Sequence, residues 1–210
     1  MGHTEEDGHE ACEAIPPNRR RPKYAEGVLK KLEEASMEES IIGFLDEPAP
    51  QTTANTVRLW SFNKPGIVRD TSKYRANTFG FYSINGKSVV RFHDHSKKGN
   101  IILFLKAIRK SIPESTIMVM LDNFRSQHSK HVKECAESLN IKLVFLPPYS
   151  PDLNPIEFIW KNVKRIVSIV AINFEDDLKS RIKDSFEKLS CSLTFAKSWI
   201  LRFMNEGIKI

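Results

Sequence analysis

Pro147, Pro148 and Pro151 fall close together in the stretch Leu146 to Arg165, which reads LPPYSPDLNPIEFIWKNVKR. Each proline fixes φ and removes a backbone donor, and each pushes the residue before it toward extended geometry. Such a segment is neither helix interior nor central strand; it is a stiff loop joining two elements. Asn154-Pro155 then announces a helix, because Asn is a favoured N-cap and Pro fits the first helical position, where its missing N–H costs nothing. Glu157 falls at the third helical position, which gives Asn154 and Glu157 capping-box spacing. Trp160, Lys161 and Lys164 follow three, four and seven residues on, so they share a helix face with Glu157. The stretch therefore predicts a carboxylate on a helix's first turn, with two lysines leading away along the same face. The plainer alternative is a capping glutamate and a solvated face of lysines.

Around this stretch the chain alternates between two periodicities. Short continuous apolar runs bounded by turn residues read as buried strands, and Ile41 to Leu45, Ile117 to Leu121 and Ile141 to Leu146 are such runs. Thr78 to Ile84 and Ser88 to Phe92 flank Asn85-Gly86, the strongest short-range hairpin signal, and are expected to pair antiparallel. Thr56 to Phe62 is a weaker strand candidate. Helical spacing appears in Ile101, Phe104, Leu105 and Ile108, a helix that Pro113 ends. It recurs in Ser126 to Leu139, in Phe174, Leu178, Ile182 and Phe186, and in Leu193 to Met204 with Phe195, Trp199 and Phe203 on one stripe. The predicted class is α/β, a mixed sheet with helices on both faces.

At 210 residues the chain suits one domain with a small appendage. Residues 1–40 are expected to be a disordered tail and linker, with a short helix over Tyr24 to Ser36, and residues 41–210 the folded domain. No apolar run is long enough to span a bilayer, and the N-terminus lacks the basic start and apolar core of a signal peptide. Cys12, Cys135 and Cys191 give no disulfide framework, which fits a reducing, cytoplasmic setting. The net charge of +6 conceals an asymmetry: all 32 Lys and Arg, but only 21 of the 26 acidic residues, lie beyond residue 14. A body that basic points to a polyanion, nucleic acid first.

Two of the apolar runs end in an aspartate, Leu45 into Asp46 and Leu121 into Asp122, and a third runs into the loop that delivers Glu157. In open α/β sheets, sites form outside the carboxyl ends of strands. Three carboxylates meeting there would repel one another unless a cation sat among them. Hard oxygen donors of this kind suit Mg²⁺ or Mn²⁺. Two such ions about 3.5–4 Å apart clamp the attacking and leaving oxygens of a phosphoryl displacement. Each aspartate by itself is more often a turn or cap residue.

LDNFRSQHS around Asp122, and LPPYSPDLNPIEFIWKNVKR with 34 residues between Asp122 and Glu157, resemble the mariner-type DDE transposases, most closely their prokaryotic insertion-sequence branch. The resemblance covers about Ile41 to Phe203. It implies an RNase H-like fold, with three antiparallel strands followed by two parallel ones and flanking helices. It further implies two Mg²⁺ ions (Mn²⁺ as substitute) and cut-and-paste movement of double-stranded DNA, with transposon ends and target as partners. A homodimer is the candidate assembly, placed on the nucleoid. Carried over by position, Asp122 matches the second acid, Glu157 the third and Asp46, in FLDE, the first; Asp70 and Asp94 are rivals for the first. Lys161, Lys164, Arg165, Arg125 and His128 are the candidate DNA contacts.

The family places a helix-turn-helix DNA reader ahead of this domain, and the residues before Ile41 are too few and too polar to supply one. A catalytic core with a remnant linker is therefore expected. The alternatives are a truncated, non-catalytic DNA-binding remnant and an RNase H-type hydrolase of RNA–DNA hybrids. His128, His131 and Cys135 share a helix face, yet no second Cys/His pair accompanies them as a zinc site would need. His93-Asp94-His95 reads as a turn.

Overall fold

A computed structural model describes residues 40–52, 62, 73–94, 98–122, 129–147 and 153–203. Thr56 to Ser61, the Tyr24 to Ser36 segment, Asp70, His95, Arg125 and His128 lie outside the described residues. The strands are β1 (Ile41–Asp46), β2 (Thr78–Ser83), β3 (Val89–Phe92), β4 (Ile117–Leu121) and β5 (Ile141–Phe145). The helices are α1 (Lys98–Ser111), α2 (Lys130–Ser138), α3 (Ile156–Ser168), α4 (Glu175–Ser190) and α5 (Lys197–Phe203). The strands form one sheet in the order β3-β2-β1-β4-β5. The pairs β1–β2 and β2–β3 are antiparallel, while β1–β4 and β4–β5 are parallel. This is the mixed sheet expected from the sequence.

Strand alternation divides the core into two layers. Ile42, Phe44, Met118, Met120 and Val144 pack under α3, α4 and α5, with Trp160, Val163, Ile182 and Trp199. Leu45, Ile117, Val119, Leu121 and Ile141 pack under α1 and α2, with Phe104, Leu105, Ile108 and Val132. Helices on both faces explain why β4 is buried at every position and reads as an unbroken apolar run.

The hairpin forms with the predicted partners. No described glycine has positive φ, so Asn85-Gly86 does not make the tight turn that this dipeptide favours. Asn85 instead reaches across to β1, donating to Ser40 O at 2.9 Å and accepting from Ile42 N at 2.8 Å. Gly86 permits the approach, since a Cβ there would stand 2.8 Å from Ile41 Cγ2.

Three helix expectations are corrected by local backbone geometry. Ser129 is extended (φ −63°, ψ 143°), so α2 starts at Lys130 rather than Ser126. Phe174 is likewise extended (φ −155°, ψ 165°) and 58% exposed. It therefore stands apart from the buried stripe of Leu178, Ile182 and Phe186. The Leu193 to Met204 helix is broken: Ser192 Oγ accepts from Thr194 N and starts a 3₁₀ turn (Leu193–Phe195), and α5 begins only at Lys197. Asn140 ends the α2 turn in the left-handed region, φ 52°, a conformation that Asn tolerates.

Candidate active site

Asp46 and Asp122 come together because of strand parity and register. Leu45 pairs with Leu121 across the parallel β1–β4 ladder, so the residues that follow them stand side by side at the carboxyl end of the sheet. Ile42 and Phe44 on β1, like Met118 and Met120 on β4, face the α3 layer, and Asp46 and Asp122 continue those faces. Helix α3 crosses the same layer, and its first turn carries Glu157. One carboxylate oxygen from each of Asp46, Asp122 and Glu157 lies within 4.8 Å of the other two. No other group of potential metal ligands forms among the described residues.

A glycine helps to set this spacing. Gly80 lies opposite Asp46 in the β1–β2 ladder, and a Cβ there would overlap the Trp160 ring. Trp160 is fully buried and stacks on Phe186 at 4.8 Å between centroids. Its indole thus rests on bare backbone, which lets α3 come down close enough for Glu157 to reach the strand ends.

The acids are destabilised as charges. Burial, then the charge of Glu157, pushes Asp46 up from 3.8 to about 7, Asp122 adding to the effect. The Glu47 N–H, donating to Asp46 Oδ1 at 2.8 Å, and Lys164 oppose that rise. Burial also raises Asp122, against the pull of Asn154. Burial and then the charge of Asp122 raise Glu157, with Lys164 opposing. Crowded oxygen donors that resist ionising together are a set that a divalent cation would relieve. The residues present therefore fit such an ion.

Asn154 departs from the capping box that its spacing suggests. The α3 N-terminus has no side-chain cap hydrogen bond. The Asn154 side chain, fully buried, instead directs Nδ2 at Asp122 Oδ1, 3.5 Å away. Its backbone carbonyl accepts from Glu157 N at 3.1 Å. Sequence reasoning assigned Asn154 to the helix; nothing in the one-dimensional pattern distinguishes the two roles.

Of the remaining candidates, Lys161 and Arg165 are exposed on α3, and Lys164 is half-buried beside the acids. Asp94 is exposed beyond β3 and is not part of the acid group. His131 is exposed on α2, and neither it nor Cys135 joins a metal-ligand cluster.

The model of a family described as DDE superfamily endonuclease matches residues 42–179. A 72-residue stretch is 33% identical to the Transposable element Tcb2 transposase of Caenorhabditis briggsae, covering 34% of this chain and 26% of that protein. The match thus spans about a quarter of that relative's length, and the relative is a nematode protein rather than one of the prokaryotic branch. The catalytic domain of Mos1 mariner transposase superposes with a TM-score of 0.60 at 14% identity, covering 98% of this chain and 100% of that one. The Mos1 mariner paired end complex with Mn superposes with a TM-score of 0.64 at 16% identity, covering 95% and 65%. At such identities the likeness is one of fold, an RNase H-like sheet with flanking helices.

Proposed function

The chain belongs to the DDE superfamily endonucleases, and on that premise we propose that it is a transposase catalytic core. It would cut double-stranded DNA at transposon ends and join it to a target, with Asp46, Asp122 and Glu157 holding two Mg²⁺ ions and Mn²⁺ able to replace them. The observation that carries this reading is the convergence of three carboxylates from β1, β4 and α3 within 4.8 Å at the carboxyl edge of the sheet. When bound, the cations supply Lewis-acid stabilisation of the phosphoryl oxygens and an activated oxygen nucleophile.

The chain's own groups do the rest. Asp46 is poised near neutrality without a cation, so it releases a proton on becoming a ligand, and cation binding is coupled to pH. Asp122 and Glu157 supply the other oxygens. Lys164 offsets part of the acids' charge, while exposed Lys161 and Arg165 continue along α3 as contacts for the DNA backbone. Phosphate contacts of this kind position the duplex without reading its sequence. Arg125 and His128 are proposed as further phosphate contacts. The paired-end complexes formed by Mos1 transposase support a dimer here too, working wherever its DNA lies, in cytoplasm or nucleus.

Nicking of supercoiled duplex DNA with Mg²⁺, with Mn²⁺ and with chelator tests the proposal, with an RNA–DNA hybrid as the competing substrate. Metal-dependent nicking of the duplex is expected. Degradation of the hybrid alone would make the chain an RNase H-type hydrolase, and no cutting with either ion would make it a non-catalytic remnant.

A further inference from the structure

Asn154 is a fully buried side chain that reaches the acid group without being one of its members. Its residue is 0% exposed, yet its Oδ1 is a buried acceptor with no hydrogen-bond partner among the described residues. An unmet acceptor is costly, so a fold that needed only a helix start here would do better with the side chain turned to cap α3. The side chain instead faces Asp122 at 3.5 Å, while the backbone of the same residue holds Glu157 N at 3.1 Å. One residue therefore links two acids that arrive from different elements.

We infer that Asn154 is a positioning residue for the metal site: it orients the Asp122 carboxylate and fixes that carboxylate relative to Glu157. The Nδ2–H donates to one Asp122 oxygen and leaves the other to a cation. This inference rests on the reading of the triad as a divalent-metal site.

The test is a thermal-shift titration with Mn²⁺ on wild type, Asn154→Leu and Asn154→Ala, read without DNA. Groups that hydrogen-bond a metal's ligands typically matter about 10- to 100-fold in metal affinity. Both variants should need at least about tenfold more Mn²⁺ for half the shift, while their metal-free melting stays equal to wild type or rises as the unmet acceptor disappears. Half-saturation within twofold of wild type would overturn the inference. So would a large fall in metal-free melting of both variants, which would make Asn154 a purely structural group. If wild type itself shows no Mn²⁺ shift, the metal-site reading fails and takes this inference with it. A wild-type shift that both variants reproduce refutes the role of Asn154 alone.

Discussion

Replacing Asp46 by Asn should make the metal-free protein more stable above neutral pH and leave it no more stable in acid. A carboxyl whose folded pKa is raised contributes stability fully below its unfolded value, and loses it as pH rises through the folded value. For Asp46 that window runs from 3.8 to about 7. At 1.36 kcal/mol per unit, the ionised side chain costs the metal-free fold on the order of 4 kcal/mol at pH 8. The Asn side chain is almost isosteric and its oxygen can still accept from Glu47 N, as Asp46 Oδ1 does at 2.8 Å. The new NH₂ group lacks an assigned partner, which returns about 1–2 kcal/mol. The net gain is then about 2–3 kcal/mol, or roughly 4–12 °C in Tm for a domain of this size. At pH 5 Asp46 is protonated in the folded state and most of the gain disappears. Thermal melts of both proteins in chelator at pH 5 and pH 8 give the four values needed. A variant no more stable than wild type at pH 8, with a difference that does not change with pH, would refute the account of a strained, desolvated carboxylate.

Other substitutions probe what holds the site. Gly80→Ala drives a methyl into the Trp160 ring, so it should cost about 1–3 kcal/mol and weaken Mn²⁺ binding in a thermal shift, because α3 must lift and carry Glu157 with it. Arg109 ties the ends of α1 and α2 together, donating from Nε to Leu139 O, from Nη1 to Ile112 and Ser115 O, and from Nη2 to Asn140 O. Arg109→Lys cannot reproduce that fork and should lose roughly 2–4 kcal/mol in chemical denaturation, while metal affinity, set at the opposite edge of the sheet, holds. Duplex DNA binding should weaken linearly on a log–log salt plot. Combined alanine substitution of Lys161, Lys164 and Arg165 should reduce that slope by roughly 2–3, one phosphate contact for each residue.

Much of this architecture was legible in the residues themselves. Apolar runs of five or so residues named β1, β4 and β5, and an aspartate closing two of them named two of the three clustered carboxylates, because a parallel ladder in register sets adjacent strand ends side by side. The capping pattern located the first turn of α3 and so the position of Glu157. What escaped was the direction of side chains with two competing partners. Asn154 satisfies every rule for a helix cap and yet serves Asp122, and Asn85 satisfies the rule for a tight turn and yet clamps β1. In both cases a tertiary contact outbid a local one, and single-chain spacing carries no record of it. Arg109 was likewise silent, since its acceptors are backbone carbonyls that only the fold assembles. Phe174 misled for a different reason: it keeps the four-residue step, but an extended backbone removes it from the helix.

The central claim is that Glu157 is a metal ligand at a nuclease centre and not merely the first-turn acid of α3. Metal-dependent nicking by Glu157→Gln is the most direct measurement, because Gln keeps the size of Glu and its place on the first turn of α3 while removing the charge. Loss of a ligand charge worth several kcal/mol at the transition state predicts a fall of roughly a hundredfold or more, with metal-free melting unchanged or slightly raised. Nicking within a few-fold of wild type, with unchanged melting, would contradict the assignment and return Glu157 to the helix end alone.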